Sequence, residues 1–81
     1  MFESAREGIL DTIENLYTYV DAIRLHDEAG AEFWRRILKR FRNDVRAARL
    51  ESSVEVVKLG ARLRQILMGI TTEARYAKGR K

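Results

Sequence analysis

The stretch over residues 33–50, FWRRILKRFRNDVRAARL, limits the possible folds more than any other, because it carries two helical periodicities at once. Trp34, Leu38, Phe41, Val45 and Ala48 recur at spacings of four, three, four and three. That repeat sets one apolar edge along a helix that packs against other helices. Arg35, Lys39, Arg42, Arg46 and Arg49 repeat with the same spacing one position later, about 100° further round the helix. Arg36 and Arg40 widen this basic row on its far side. The segment therefore predicts a helix with one dry edge and a broad cationic face.

The same apolar repeat appears on both sides of this stretch. Ile9, Ile13, Leu16, Val20 and Ile23 form a seam before it, with Leu10 and Tyr17 broadening the edge and Tyr19 at the surface. Val56, Leu59, Leu63, Ile66 and Ile70 continue the pattern after it. No run alternates with period two, and no solenoid-length repeat occurs. The fold class read from these patterns is all-α: a helical hairpin plus a third helix, dimerising into an antiparallel four-helix bundle. The proposed seam is Ile13, Leu16, Val20, Trp34, Leu38, Phe41 and Val45, serving the core and the dimer alike.

Boundary signals divide the chain. Ser4 and Glu7 have the spacing of a capping box, which predicts a helix start near Ser4. The sequence HDEAG at residues 26–30 ends the first repeat. There either Gly30 closes helix 1 as a left-handed residue, or Asp27 caps helix 2. Both readings give a short turn and antiparallel neighbours. His26 reads as an exposed turn residue. Beyond Leu50 two readings stand: a third helix starting from the Ser52/Glu55 capping pattern, or one long helix 2 reaching about Leu59, with Gly60 as the interruption. The basic end, residues 74–81, is expected to fray.

With 81 residues the chain makes one small helical domain, spanning residues 1–81, with a modest core. It has no Cys, so neither a disulfide nor a thiolate-bound metal can reinforce it. Strong seams without such a staple point to a homodimer. No apolar run approaches the roughly 18 residues of a membrane span, and the acidic N-terminal segment is unlike a secretory signal. The expected location is cytoplasmic.

Charge is distributed unevenly. Residues 1–29 hold seven acids and two bases, residues 30–50 seven bases and two acids, and residues 51–81 seven bases and three acids. A basic surface on the last two thirds is the natural partner of a polyanion. The alternative is that the acidic first helix pairs internally with the basic second one.

Motifs for catalysis are missing. There is no Gly-rich phosphate loop, no Cys nucleophile and no HExxH pair, and one turn-borne His makes a Ser–His–Asp triad improbable. One His without Cys is also a poor start for a metal site. The chain reads as a non-enzyme with no catalytic residues, no metal and no cofactor. What remains is phosphate binding by Arg35, Arg36, Lys39, Arg40, Arg42, Arg46, Arg49 and Lys58. Charge alone does not choose among RNA, DNA and an acidic lipid surface. Two other classes compete: a helical protein–protein adaptor or regulatory module, and a small DNA-binding accessory protein.

Three pieces of sequence carry a resemblance. Thr18-Tyr19-Val20-Asp21-Ala22, the pair Arg35-Arg36, and Ala48-Arg49-Leu50 keep a common spacing, with Leu38, Phe41 and Val45 in register between them. In these, over residues 9–50, the chain resembles the small RNA-silencing suppressors of insect nodaviruses. The resemblance implies a viral antiparallel homodimer lying along one face of an A-form duplex. It would touch phosphates and 2′-hydroxyls without reading sequence. Such a protein shields duplex RNA from dicing, sequesters small interfering RNAs in the host cytoplasm, and meets host RNA-silencing proteins. It also implies a long second helix, favouring continuity to about Leu59. The chain departs from the family at Ala47 and Val54, where further bases are expected, so Arg46, Arg49 and Lys58 would have to replace them.

Overall fold

A computed structural model describes the backbone of residues 2–79 and the side chains of residues 2–76. Three helices follow one another: α1 Glu3–Arg24, α2 Glu28–Ala47 and α3 Ser53–Gly79, with no strand among the described residues. All three seams found in the sequence point inward. Ile9, Ile13, Leu16, Val20 and Ile23 of α1 are buried, as are Leu38, Phe41 and Val45 of α2 and Leu59 and Ile70 of α3. Leu10, Tyr17, Trp34, Leu63 and Ile66 pack around that cluster.

Helix α1 is the shared wall of this core. Both other helices pack mainly on it, and they meet each other at only a few places. Arg6 at the start of α1 reaches residues 45 and 46, and Arg24 at its end pairs with Glu32, so α2 runs antiparallel to α1. Asp44 pairs with Arg62, and the Trp34 ring lies beside Gly69, so α3 runs antiparallel to α2 in turn. The result is an up-down-up bundle measuring 47 × 17 × 15 Å.

The helix ends correct several expectations. Helix α1 starts one residue before Ser4, with Phe2 as its cap residue and no side-chain cap bond. The Ser4/Glu7 capping box does not form, since Ser4 lies inside the first turn. The first-turn contacts are instead Arg6 N–H to Phe2 C=O at 3.1 Å and the Arg6–Glu3 ion pair at 3.3 Å.

At the first turn Asp27 takes the capping role and Gly30 does not take the left-handed one. Asp27 has extended backbone, and its Oδ1 accepts the Gly30 N–H at 3.0 Å. Gly30 is the third residue of α2, and its φ is negative. A Cβ there would fall against the Asp27 carboxylate, so a larger residue would have to shift the capping side chain. Helix α1 has already ended at Arg24, where the His26 and Asp27 amides bond back to Ile23 C=O.

At the second turn the chain breaks, and the long continuous helix 2 is overturned. Helix α2 stops at Ala47, and Ala48 is extended with ψ 136°. Two contacts explain the stop. The Arg6 guanidinium donates to Val45 C=O at 2.7 Å and to Arg46 C=O at 3.0 Å, satisfying last-turn carbonyls from a neighbouring helix. On the other side Glu55 Oε2 accepts the Glu51 N–H at 3.0 Å and fixes the entry to α3. Continued straight, α2 would carry Leu59 about 18 Å beyond Ala47, away from the core it helps close. Helix α3 then runs through residues 74–79; Arg80 and Lys81, the end of the segment expected to fray, lie outside the described residues.

Candidate nucleic-acid interface

Helix α2 presents its bases in two rows, and the structure treats them differently. The inner row is Arg35 and Arg42, two turns apart on the side facing α1. Arg42 Nη1 pairs with Glu14 Oε1 at 3.0 Å, and Arg35 Nη1 lies 4.0 Å from Asp21 Oδ1. Both guanidinium groups also stand over the Tyr17 ring, at 5.4 and 5.9 Å from its centre. Arg42 is the more deeply engaged, since its Nε is buried without a hydrogen-bond partner. The Glu14 carboxylate and the Tyr17 ring face are what offset that desolvation.

The outer row is Arg36, Lys39, Arg40 and Arg46. All four are exposed, and among the described residues none has a carboxylate within ion-pairing distance. Between Arg36 and Arg46 the row extends about 15 Å along the helix. Arg49, past the end of α2, is likewise exposed and unpaired. Lys58 is exposed on α3, one turn before Arg62, whose contact with Asp44 brings that part of α3 beside the end of α2.

Internal pairing therefore accounts for part of the cationic face and leaves the rest. Of the eight bases singled out in the sequence, Arg42 is pinned to α1 and Arg35 lies beside Asp21 while remaining exposed, and Arg36, Lys39, Arg40, Arg46, Arg49 and Lys58 are exposed with no ion pair among the described residues. A shallow groove of about 560 Å³ is lined by Glu14 and Asp21 of α1 and by Glu32, Arg35, Arg36 and Lys39 of α2. Its mixed charge suits it to positioning α2 on α1 better than to holding an anion.

Two arginines outside this set have structural work that the sequence did not reveal. Arg62 lies over the Phe41 ring at 4.9 Å while pairing with Asp44 at 3.0 Å, covering the core between α2 and α3. Arg6 caps α2 across the bundle. Both contacts join residues far apart in sequence, so no local spacing announces them. Among the described residues, no three His, Cys, Asp or Glu side chains gather closely enough to hold a metal, and no helix is long and apolar enough to cross a membrane.

The seam residues also have defined places. Ile13, Val20, Leu38 and Val45 are fully buried within the one chain, and Leu16 and Phe41 nearly so. Trp34 is half-buried against Gly69, where any Cβ would collide with the indole. A second copy of the chain must therefore use other surfaces. Exposed apolar side chains include Tyr19, Leu25 and Phe33 on the first two helices and their turn, and a stripe on the outward side of α3, where Val54, Val57 and Met68 are 59%, 68% and 60% exposed. Comparison with family models, with curated proteins and with solved structures found no match to this chain.

Proposed function

We propose that this chain is a non-enzymatic, sequence-independent double-stranded-RNA-binding protein. In this reading it is a viral suppressor of RNA silencing that shields duplex RNA from dicing and sequesters small interfering RNAs. The observation that carries the reading is the outer row of α2: Arg36, Lys39, Arg40 and Arg46, spaced on a helix and without acidic partners among the described residues. Bases held on a helix at fixed spacing fit phosphates along a duplex flank, and backbone contacts of this kind carry no sequence information. The resemblance to the nodaviral suppressors supports RNA over DNA and a setting in the host cytoplasm, alongside host silencing proteins.

The working unit in this proposal is a homodimer, which doubles the row. Because the seam is spent inside each protomer, the second copy would cover the Val54–Val57–Met68 face of α3. A dimer that persists to low micromolar concentration in sedimentation, and that Val57→Asp together with Met68→Asp dissociates, is the expected result. A folded monomer at high concentration would remove the dimer from the reading.

The deciding experiment is a gel shift with duplex RNA, duplex DNA and single-stranded RNA of matched length. Duplex RNA of unrelated sequences should bind alike. Several phosphate contacts imply a loss on the order of 10³-fold between about 50 and 200 mM salt. The exposed α3 stripe favours one competing reading, a helical adaptor for a protein partner; an adaptor binds none of the three probes at physiological salt. Preference for duplex DNA would move the chain to the DNA-accessory class.

A further inference from the structure

We propose that Phe33, with Arg36 and Arg40, forms a stacking subsite for an unpaired or terminal nucleotide of RNA; this rests on the duplex-RNA reading above. Phe33, Arg36, Ile37 and Arg40 lie one and two turns apart on α2 and enclose a shallow hollow of about 260 Å³. The Phe33 ring is 50% exposed. It is not a loose surface group: Trp34 meets it edge-on at 5.3 Å between centroids and 77° between planes. Trp34 is itself seated on Gly69 of α3. The ring is thus held from behind, with apolar surface still open to solvent.

The charges around the ring select its ligand. Arg36 and Arg40 flank the hollow, and neither has an acidic partner among the described residues. An exposed aromatic ring beside two free guanidinium groups matches a planar group attached to phosphates. Base–aromatic stacking tolerates any base, and its strength corresponds to about 5- to 150-fold in affinity per base. Bases inside a duplex have both faces covered by their neighbours. Only end pairs, overhangs and unpaired nucleotides can offer a face to Phe33. The subsite therefore adds a preference for open ends to a surface that otherwise grips the flank by phosphates.

The test compares one duplex in two forms, with 3′ overhangs and with both ends closed by hairpin loops linked tightly enough to leave no free base face. Wild-type protein should bind the open form more tightly. Phe33→Ala should weaken the open form at least 5-fold, leave the closed form unchanged and abolish the difference. Phe33→Tyr should restore it, because the π-face returns. Phe33→Leu keeps apolar bulk without the π-face and should behave as Phe33→Ala, with helicity by circular dichroism confirming the fold of each variant. Equal affinity of wild type for both forms, or an equal loss on both in Phe33→Ala, overturns the subsite while leaving duplex binding standing. No binding of either form by wild type overturns the duplex reading and this inference together.

Discussion

The inner and outer rows of α2 are built from the same residue types on one helix, yet they have different environments. Arg35 and Arg42 face α1, where Asp21, Glu14 and the Tyr17 ring receive them. Arg46 and Lys39 are turned from them by roughly 20–60° and Arg36 and Arg40 by roughly 100–160°, and none of the four meets a carboxylate among the described residues. The difference shows that net charge is a poor guide to a binding surface. A base already paired within the fold is largely neutralised as a phosphate ligand. A base with no partner keeps its full field, falling off over about 8 Å at physiological ionic strength. In the proposed function, the part of this helix available to a polyanion is the part that the acidic α1 does not pair.

The strongest way to break the comparison is to remove what holds both rows in place. Phe41 is almost completely buried, and Arg62 lies over its ring. Phe41→Ala should cost about 3–5 kcal/mol in urea or thermal unfolding, a large share of the stability of so small a domain. RNA binding should fail with it. Retained stability would mean that the core is not where these contacts place it.

Next in size is removal of the outer row alone. Arg36→Ala with Arg40→Ala should leave the melting temperature nearly unchanged, because Ala is a good helix former and exposed unpaired charges add little. Two lost phosphate contacts per protomer, hence four per dimer, should lower duplex-RNA affinity on the order of 10³-fold near 150 mM salt, with a slope shallower by roughly two per protomer. Unchanged affinity and slope in titrations over a salt series would exclude this face as the binding surface.

The inner row should give the opposite pattern at smaller scale. Arg42→Ala removes one ion pair and one contact with the Tyr17 ring, together about 1 kcal/mol of stability. Duplex affinity should change little, so a drop as large as that of the outer pair would erase the distinction between rows. The smallest effect sharpens it. Glu14→Gln with Asp21→Asn frees Arg42 and Arg35 from their acids, at a cost of under about 1 kcal/mol for each partly exposed pair. Duplex affinity should then rise several-fold as the inner bases begin to act like outer ones, measured in the same salt series.

The candidate site was half legible in the chain. The repeat of Arg35, Lys39, Arg42, Arg46 and Arg49 identified a cationic helix and the direction of its face. It did not separate Arg42 from Lys39, since both lie beside the apolar edge and only the position of α1 decides which finds an acid. Phe33 falls outside both repeats of that stretch, and what holds its ring is Trp34 seated on Gly69, more than thirty positions away in sequence.

What the sequence determined by itself is whatever depends on neighbours within two turns. The apolar spacing showed an all-helical chain and most of the residues its helices bury, from Ile9 to Ile70, because a period of 3.6 leaves one side of a helix in need of cover; it ran through residues 48–52 and left the break between α2 and α3 open. Asp27 with the small Gly30 supplied a cap of short range. Tertiary structure decided the rest. The end of α2 depends on Arg6 reaching its carbonyls from the other side of the bundle. The closing of Leu38, Phe41 and Val45 within one chain depends on α1 offering both its neighbours a wall. The division of the bases into paired and free depends on the angle at which α2 rests on α1. Such contacts join residues tens of positions apart, and their energies exist only once the backbone has brought them together.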